Sequence, residues 1–162
     1  MSDEPPGGFG GDLDRQRAQI KRRVRHAADE WAAAMRAHKL APPDLDFAQR
    51  LHDLSQAAAN EQIAWEYAHS VGLLWRAVPD AENSSPPYEL RPGTGRRGPV
   101  ALWERFDAEV AGLNRAISGS DAAAVADAFG DFAEAAGALS DAVAEQDRVA
   151  EGATRGRERG AA

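Results

Sequence analysis

Val125, Phe129, Phe132, Ala136, Leu139 and Val143 follow one another at steps of four, three, four, three and four. That spacing puts every one of these side chains on a single stripe of an α-helix and would scatter them over both faces of a strand. The stretch is therefore committed to a helix packed lengthwise on other helices. The same constraint recurs along the chain. From Asp12 to Lys39, Leu13, Ile20, Val24, Ala27, Trp31, Ala34 or Met35 and the face of His38 stand at helical steps. Phe47, Leu51, Leu54, Ala58, Trp65 and Gly72 form a stripe on a second helix, and Leu102, Trp103, Phe106, Val110, Leu113 and Ile117 form one on a third. No segment alternates with period two, so the fold class expected is all-α. Its architecture is a four-helix bundle made of two helical hairpins joined by a long Pro/Gly-rich crossover.

Breakers divide the stripes. "LAPPD" ends the first helix, because tandem prolines cannot continue one, and Asp44 is the expected N-cap of the second. The second helix is expected from Leu45 to Val78, about 50 Å at 1.5 Å per residue, with room for a break near Asn60. After Gln62 it is apolar on nearly all sides, through Ile63, Trp65, Tyr67, Val71, Leu73, Leu74, Trp75 and Val78. Such a segment is expected to be buried all round, against two layers of its own chain or against a partner. Residues 79–98, "PDAENSSPPYELRPGTGRRG", hold four of the nine prolines and read as the crossover. Pro99 suits the first position of the third helix, and "SGS" makes a tight turn with Ser120 as the expected cap of the fourth. Residues 1–11 and 152–162 are expected as flexible tails around a helical domain at 12–151 that contains the 79–98 linker.

Gly93, Gly95 and Gly98 spell G-x-G-x-x-G, the lettering of a dinucleotide-binding loop. That fingerprint needs a strand leading in, a parallel sheet and an acid about 20 residues on. None of these is offered here, and no Gly-Lys-Ser/Thr makes it a P-loop. What remains is a weak anion site at Arg96 and Arg97, just ahead of a helix N-terminus.

The net charge of −7 is unevenly placed. Residues 12–39 hold eight Lys/Arg and four Asp/Glu, whereas residues 121–151 hold eight acids and one arginine, Arg148. The first and fourth helices are expected to complement each other within the bundle. Arg15, Lys21, Arg22, Arg23 and Arg25 spread round the whole polar side with no aromatic between them, which speaks against nucleic acid as the partner. Asp127, Asp131, Glu134, Asp141 and Glu145 line one face of the fourth helix, a solvated face or one that docks a basic partner.

Catalytic and metal chemistry find little support. The chain has no cysteine and no Gly-x-Ser-x-Gly. Glu66 and His69 make one Glu-x-x-His, but a di-iron bundle needs two, and all four histidines lie in the first half. Glu30 is expected near His52 and Asp53 if the first two helices pair, and His69 is expected on the apolar stripe. No cofactor or metal is expected. Trp31, Trp65, Trp75 and Trp103 are inward positions, a core or the lining of a ligand cavity. The turn "KLAPPD" carries no Trp-x-Gly, and Tyr67 is followed four residues on by Val71, which excludes secreted hairpins of the WXG type.

The N-terminus lacks a basic and apolar leader and no apolar run is long enough to span a bilayer, so a cytoplasmic protein is expected. Its alanine- and arginine-rich usage points to a GC-rich bacterial genome. The function expected is a non-enzymatic interaction or regulatory module that meets a protein partner or its own copy as a homodimer. Ile63, Tyr67, Val71, Leu74 and Trp75 form one candidate surface, and Asp127, Asp131, Glu134 and Asp141 the other. A small-ligand or metal sensor with a Trp-lined interior and a nucleic-acid accessory factor using the basic helix are the alternatives.

Overall fold

The computed structural model describes residues 7–40, 46–70, 85–89, 97–119 and 121–161. They form four helices, α1 (Gly7–Leu40), α2 (Phe47–Ser70), α3 (Val100–Ser118) and α4 (Ala122–Ala161). Among the described residues there is no strand, and the fold is the all-α bundle that the apolar spacing demands.

Side-chain contacts fix the directions. Tyr67 meets Gln19 (3.5 Å) and Asn60 meets Glu30 (3.2 Å), so α1 and α2 run antiparallel. Ser140 Oγ donates to the Ala48 carbonyl and Ser55 Oγ to the Ala133 carbonyl, both at 2.7 Å, so α2 and α4 are antiparallel as well. Arg105 pairs with Glu134 (3.3 Å) and Arg97 with Asp147, which sets α3 antiparallel to α4. The packing runs α1 on α2, α2 on α4 and α4 on α3. In this order the end of α2 and the start of α3 lie at opposite ends of the bundle, and the connection between them has to travel its length.

The expected stripes are the core. Val125, Phe129, Phe132, Ala136, Leu139 and Val143 of α4 are all buried, as are Phe47, Leu51, Leu54, Ala58 and Trp65 of α2 and Trp103, Phe106 and Leu113 of α3. Trp31 stands edge-on to Phe129 and Phe132, with ring centroids 5.3 Å apart in each case. The α2/α4 seam is narrower. Gly130, Ala133 and Gly137 face α2 there, and a Cβ on Gly137 would lie 3.3 Å from Ser55 Oγ. Small residues bring the backbones close enough for a serine hydroxyl to reach the neighbouring helix's carbonyl.

Several boundaries depart from the sequence reading. α1 begins at Gly7 and α4 continues to Ala161, through residues expected as tails. No proline interrupts either stretch, and in the second Thr154 Oγ1 donates to the Ala150 carbonyl at 3.0 Å. α2 passes Asn60 without a break, and its described span ends at Ser70. Pro99 is the residue before α3 rather than its first (φ −63°, ψ 139°), with its carbonyl accepting from Leu102 and Trp103. Asp121 caps α4 by accepting from the Ala123 N–H at 3.0 Å; the expected caps Asp44 and Ser120 lie outside the described residues. Asp46 takes the left-handed conformation (φ 52°) just before α2, a conformation in which aspartate is among the tolerated residues.

Candidate interaction surface

Along the α2/α4 seam an open groove of about 600 Å³ is lined by Ala59 and Gln62 of α2 and by Asp127, Gly130, Asp131, Ala133 and Glu134 of α4. Its floor exists because Gly130 has no side chain. A Cβ there would fall 2.6 Å from Gln62 Nε2, so the glutamine lies across the glycine and reaches Glu66 Oε1 at 3.2 Å. Every ionisable group on the lining is a carboxylate. Ile63, next to Gln62 and one turn from Ala59, is 59% exposed. This corrects the expectation of a segment buried all round: Ile63 faces outward, and Tyr67 is half-buried beneath the Arg23 guanidinium, 4.5 Å from its ring centroid.

The structure thus brings Asp127, Asp131 and Glu134 together with the Ile63 side of α2. Asp141 is exposed and lies further along α4, outside the groove lining. Val71, Leu74 and Trp75 lie outside the described residues, as does Arg96. Arg97 is described, and its guanidinium is paired with Asp147. Gly98, the third glycine of the G-x-G-x-x-G lettering, has φ +110° and sits against α4, where a Cβ would meet Leu139 Cδ1 at 3.1 Å and Val143 Cγ2 at 3.3 Å. That glycine serves the turn into α3, which Trp103 Nε1 closes by donating to the Arg97 carbonyl at 2.7 Å.

Two electrostatic expectations are revised. α1 meets α4 through Trp31 on Phe129 and Phe132, and the ion pairs Arg97–Asp147 and Arg105–Glu134 join α4 to α3 and its lead-in instead. Burial of the stripe on α2 selects α4 as the helix it packs against most closely, and α1 lies along α2 with Trp31 reaching α4. Glu30 does not meet His52 or Asp53. It pairs with His26 (3.1 Å) and accepts from Asn60, while Gln49 donates to Asp53. His69 is exposed rather than on the apolar stripe, and among the described residues no cluster of three His, Asp or Glu is arranged to hold a metal. No described helix is long and apolar enough to cross a membrane.

The feature that sequence reasoning missed is Glu61. It is fully buried, accepting from Trp65 Nε1 at 2.8 Å and from Ser85 Oγ at 2.7 Å. Burial pushes its carboxyl up to about 7, the two hydrogen bonds hold it down in part, and the nearby Glu30 raises it further. The available signal was a glutamate in register with the apolar stripe, one turn before Trp65. Ser85 belongs to a non-helical segment, residues 85–89, that fills the space between α1 and α3. Trp31 Nε1 donates to the Pro86 carbonyl at 2.8 Å. Asn114 grips the Tyr88 backbone at both polar atoms, accepting from its N–H (2.9 Å) and donating to its carbonyl (3.0 Å). The Tyr88 ring is buried among Trp31, His38, Phe106 and Phe132, with centroid distances of 5.5–6.4 Å. The crossover is therefore part of the core at this point.

Comparison with known proteins adds no family: no family model, curated protein or solved structure matches this chain.

Proposed function

We propose that the protein is a non-enzymatic interaction module that receives a basic polypeptide surface in the α2/α4 groove. The observation that carries this reading is the groove itself: the ionisable groups of its lining are all carboxylates, of which Glu134 is paired with Arg105, and an exposed isoleucine stands beside it. Ile63 supplies apolar contact, and Asp127, Asp131 and Glu134 steer and orient a cationic partner. A basic surface is present on the same chain. Arg15, Lys21, Arg22, Arg23 and Arg25 are exposed on α1, which meets α4 through the buried Trp31 rather than through these charges. A second copy offering α1 is accordingly the first partner to test.

The three described tryptophans spend their indole N–H groups on Pro86, Glu61 and Arg97, which favours a structural core over a ligand-lined interior. The test is the native mass by light scattering at low salt and at about 0.5 M salt, where the screening length falls to a few ångströms. A dimer at low salt that dissociates at high salt, and that charge reversal by Asp127→Lys with Asp131→Lys abolishes, supports the reading. If the protein is monomeric in both, a basic amphipathic helical peptide is titrated instead. Equal binding by the parent protein and the doubly reversed variant rejects the groove.

A further inference from the structure

Residues 85–89 are held in the way a protein holds a separate peptide. Three different helices contribute one polar grip each: Glu61 of α2 on the Ser85 hydroxyl, Trp31 of α1 on the Pro86 carbonyl, and Asn114 of α3 on the Tyr88 backbone. Two of these grips read backbone, and the Asn114 pair imitates one rung of a β-ladder by satisfying the N–H and C=O of a single residue. Ser85 and Pro86 each precede a proline, which keeps them out of the helical region and presets an extended course. Specificity comes from one side chain, Tyr88, whose ring fills a pocket walled by Trp31, His38, Phe106 and Phe132. None of these contacts depends on the segment being joined to the bundle. A pre-extended ligand with few rotatable bonds loses little entropy when it binds.

The connection leading in is longer than its path requires. Ser85 touches Glu61, nine residues back along α2 from Ser70, a rise of about 14 Å. The fourteen residues 71–84 reach more than 40 Å when extended. The chain thus has the length to seat the segment and also to leave it unseated.

We propose that the trough between α1 and α3 is a peptide-binding groove, occupied in cis by Ser85–Glu89, and that it accepts from a partner protein an extended segment of the same chemistry, a serine three residues before a tyrosine with proline between. The resident segment is then an autoinhibitory ligand. It competes at the effective concentration of a tethered chain, on the order of millimolar.

The experiment uses the full chain carrying Ser85→Ala and Tyr88→Ala, which weakens the resident segment, and a fluorescein-labelled peptide of residues 83–91 as the probe. Anisotropy should show the released variant binding the peptide at least about tenfold more tightly than the parent protein does, because the competitor is gone. A peptide in which alanine replaces the tyrosine should not bind. Asn114→Ala added to the released variant should weaken binding about tenfold, the loss expected for two backbone hydrogen bonds. A released variant that keeps its helical circular dichroism and binds no peptide up to about 1 mM, the tethered concentration, overturns the proposal. If the variant loses its helicity, the peptide at that same concentration must restore it. Failure to restore it shows that residues 85–89 are an inseparable part of the core, and also overturns the proposal.

Discussion

The two sides of this bundle are closed by different means. At the α2/α4 seam, Gly130, Ala133, Gly137, Ser55 and Ser140 bring two backbones together until hydroxyls on one helix reach carbonyls on the other. On the opposite side α1 and α3 stand apart, and Tyr88 with its proline-bearing neighbours is inserted between them among large rings. The first interface is close, regular and written in residues that belong to the helices. The second depends on a piece of crossover and on three helices agreeing about where to hold it. A narrow seam tolerates no added volume, whereas a wide one tolerates no lost filling, and substitutions should separate the two.

The largest effect is expected on the wide side. Trp31 is fully buried, touches Tyr88, Phe129 and Phe132, and holds the Pro86 carbonyl. Trp31→Ala removes both filling and grip and should cost about 3–5 kcal/mol in urea unfolding. Trp31→Phe keeps much of the ring and loses the hydrogen bond, so its cost should be about 1–2 kcal/mol. Equal losses for the two variants would show that the Pro86 bond, and not ring packing, closes this side.

Next comes Glu61, whose carboxyl anchors Ser85 to α2. Its folded value, raised to about 7 from 4.5, means that the native state favours the protonated acid. The contribution is fully present below pH 4.5 and is lost as pH rises through about 7, so the protein should become less stable between pH 5 and pH 8 on account of this group. The total is on the order of 3 kcal/mol. Glu61→Gln retains an oxygen for Trp65 and offers an amide to Ser85 Oγ, and it should flatten this part of the pH profile of thermal unfolding. A Glu61→Gln profile as steep as the parent's would assign the dependence elsewhere.

How far these two sides could be read from sequence follows from their physics. The core stripe on α4 was legible because a period of seven over nineteen residues has one structural meaning, and the six positions from Val125 to Val143 are all core. The acids at 127, 131 and 134 were legible as one face by the same geometry, but the groove was not, since it depends on Gly130 opposing Gln62 across two helices. The wide side was illegible for a different reason. Tyr88 lies in a Pro/Gly-rich stretch that reads as linker, and its burial is decided by Asn114, twenty-six residues away. Likewise the pairing of basic α1 with acidic α4 was inferred from charge alone. Exposed pairs are worth too little, about 0–1 kcal/mol each, to outweigh the apolar stripe that puts α2 on α4.

The smallest effect lies in the seam, where its two glycines make opposite claims. Gly137→Leu drives a branched side chain toward Ser55 Oγ, already only 3.3 Å from where a Cβ would stand, and should cost about 1–3 kcal/mol by overpacking. Gly130→Ala meets only the end of the Gln62 side chain, which can swing outward at the cost of an exposed hydrogen bond to Glu66. Replacing glycine by alanine inside a helix gains up to about 1 kcal/mol, so Gly130→Ala should leave the urea midpoint unchanged or slightly raised. The displaced glutamine would change the groove's floor at the same time, so peptide or self-association should respond where stability does not. A clear loss of stability in Gly130→Ala would mean that Gln62 is fixed in place and that the groove is as rigid as the seam beneath it. An unchanged midpoint would mean that the acidic face sits on an adaptable lid over a rigid contact.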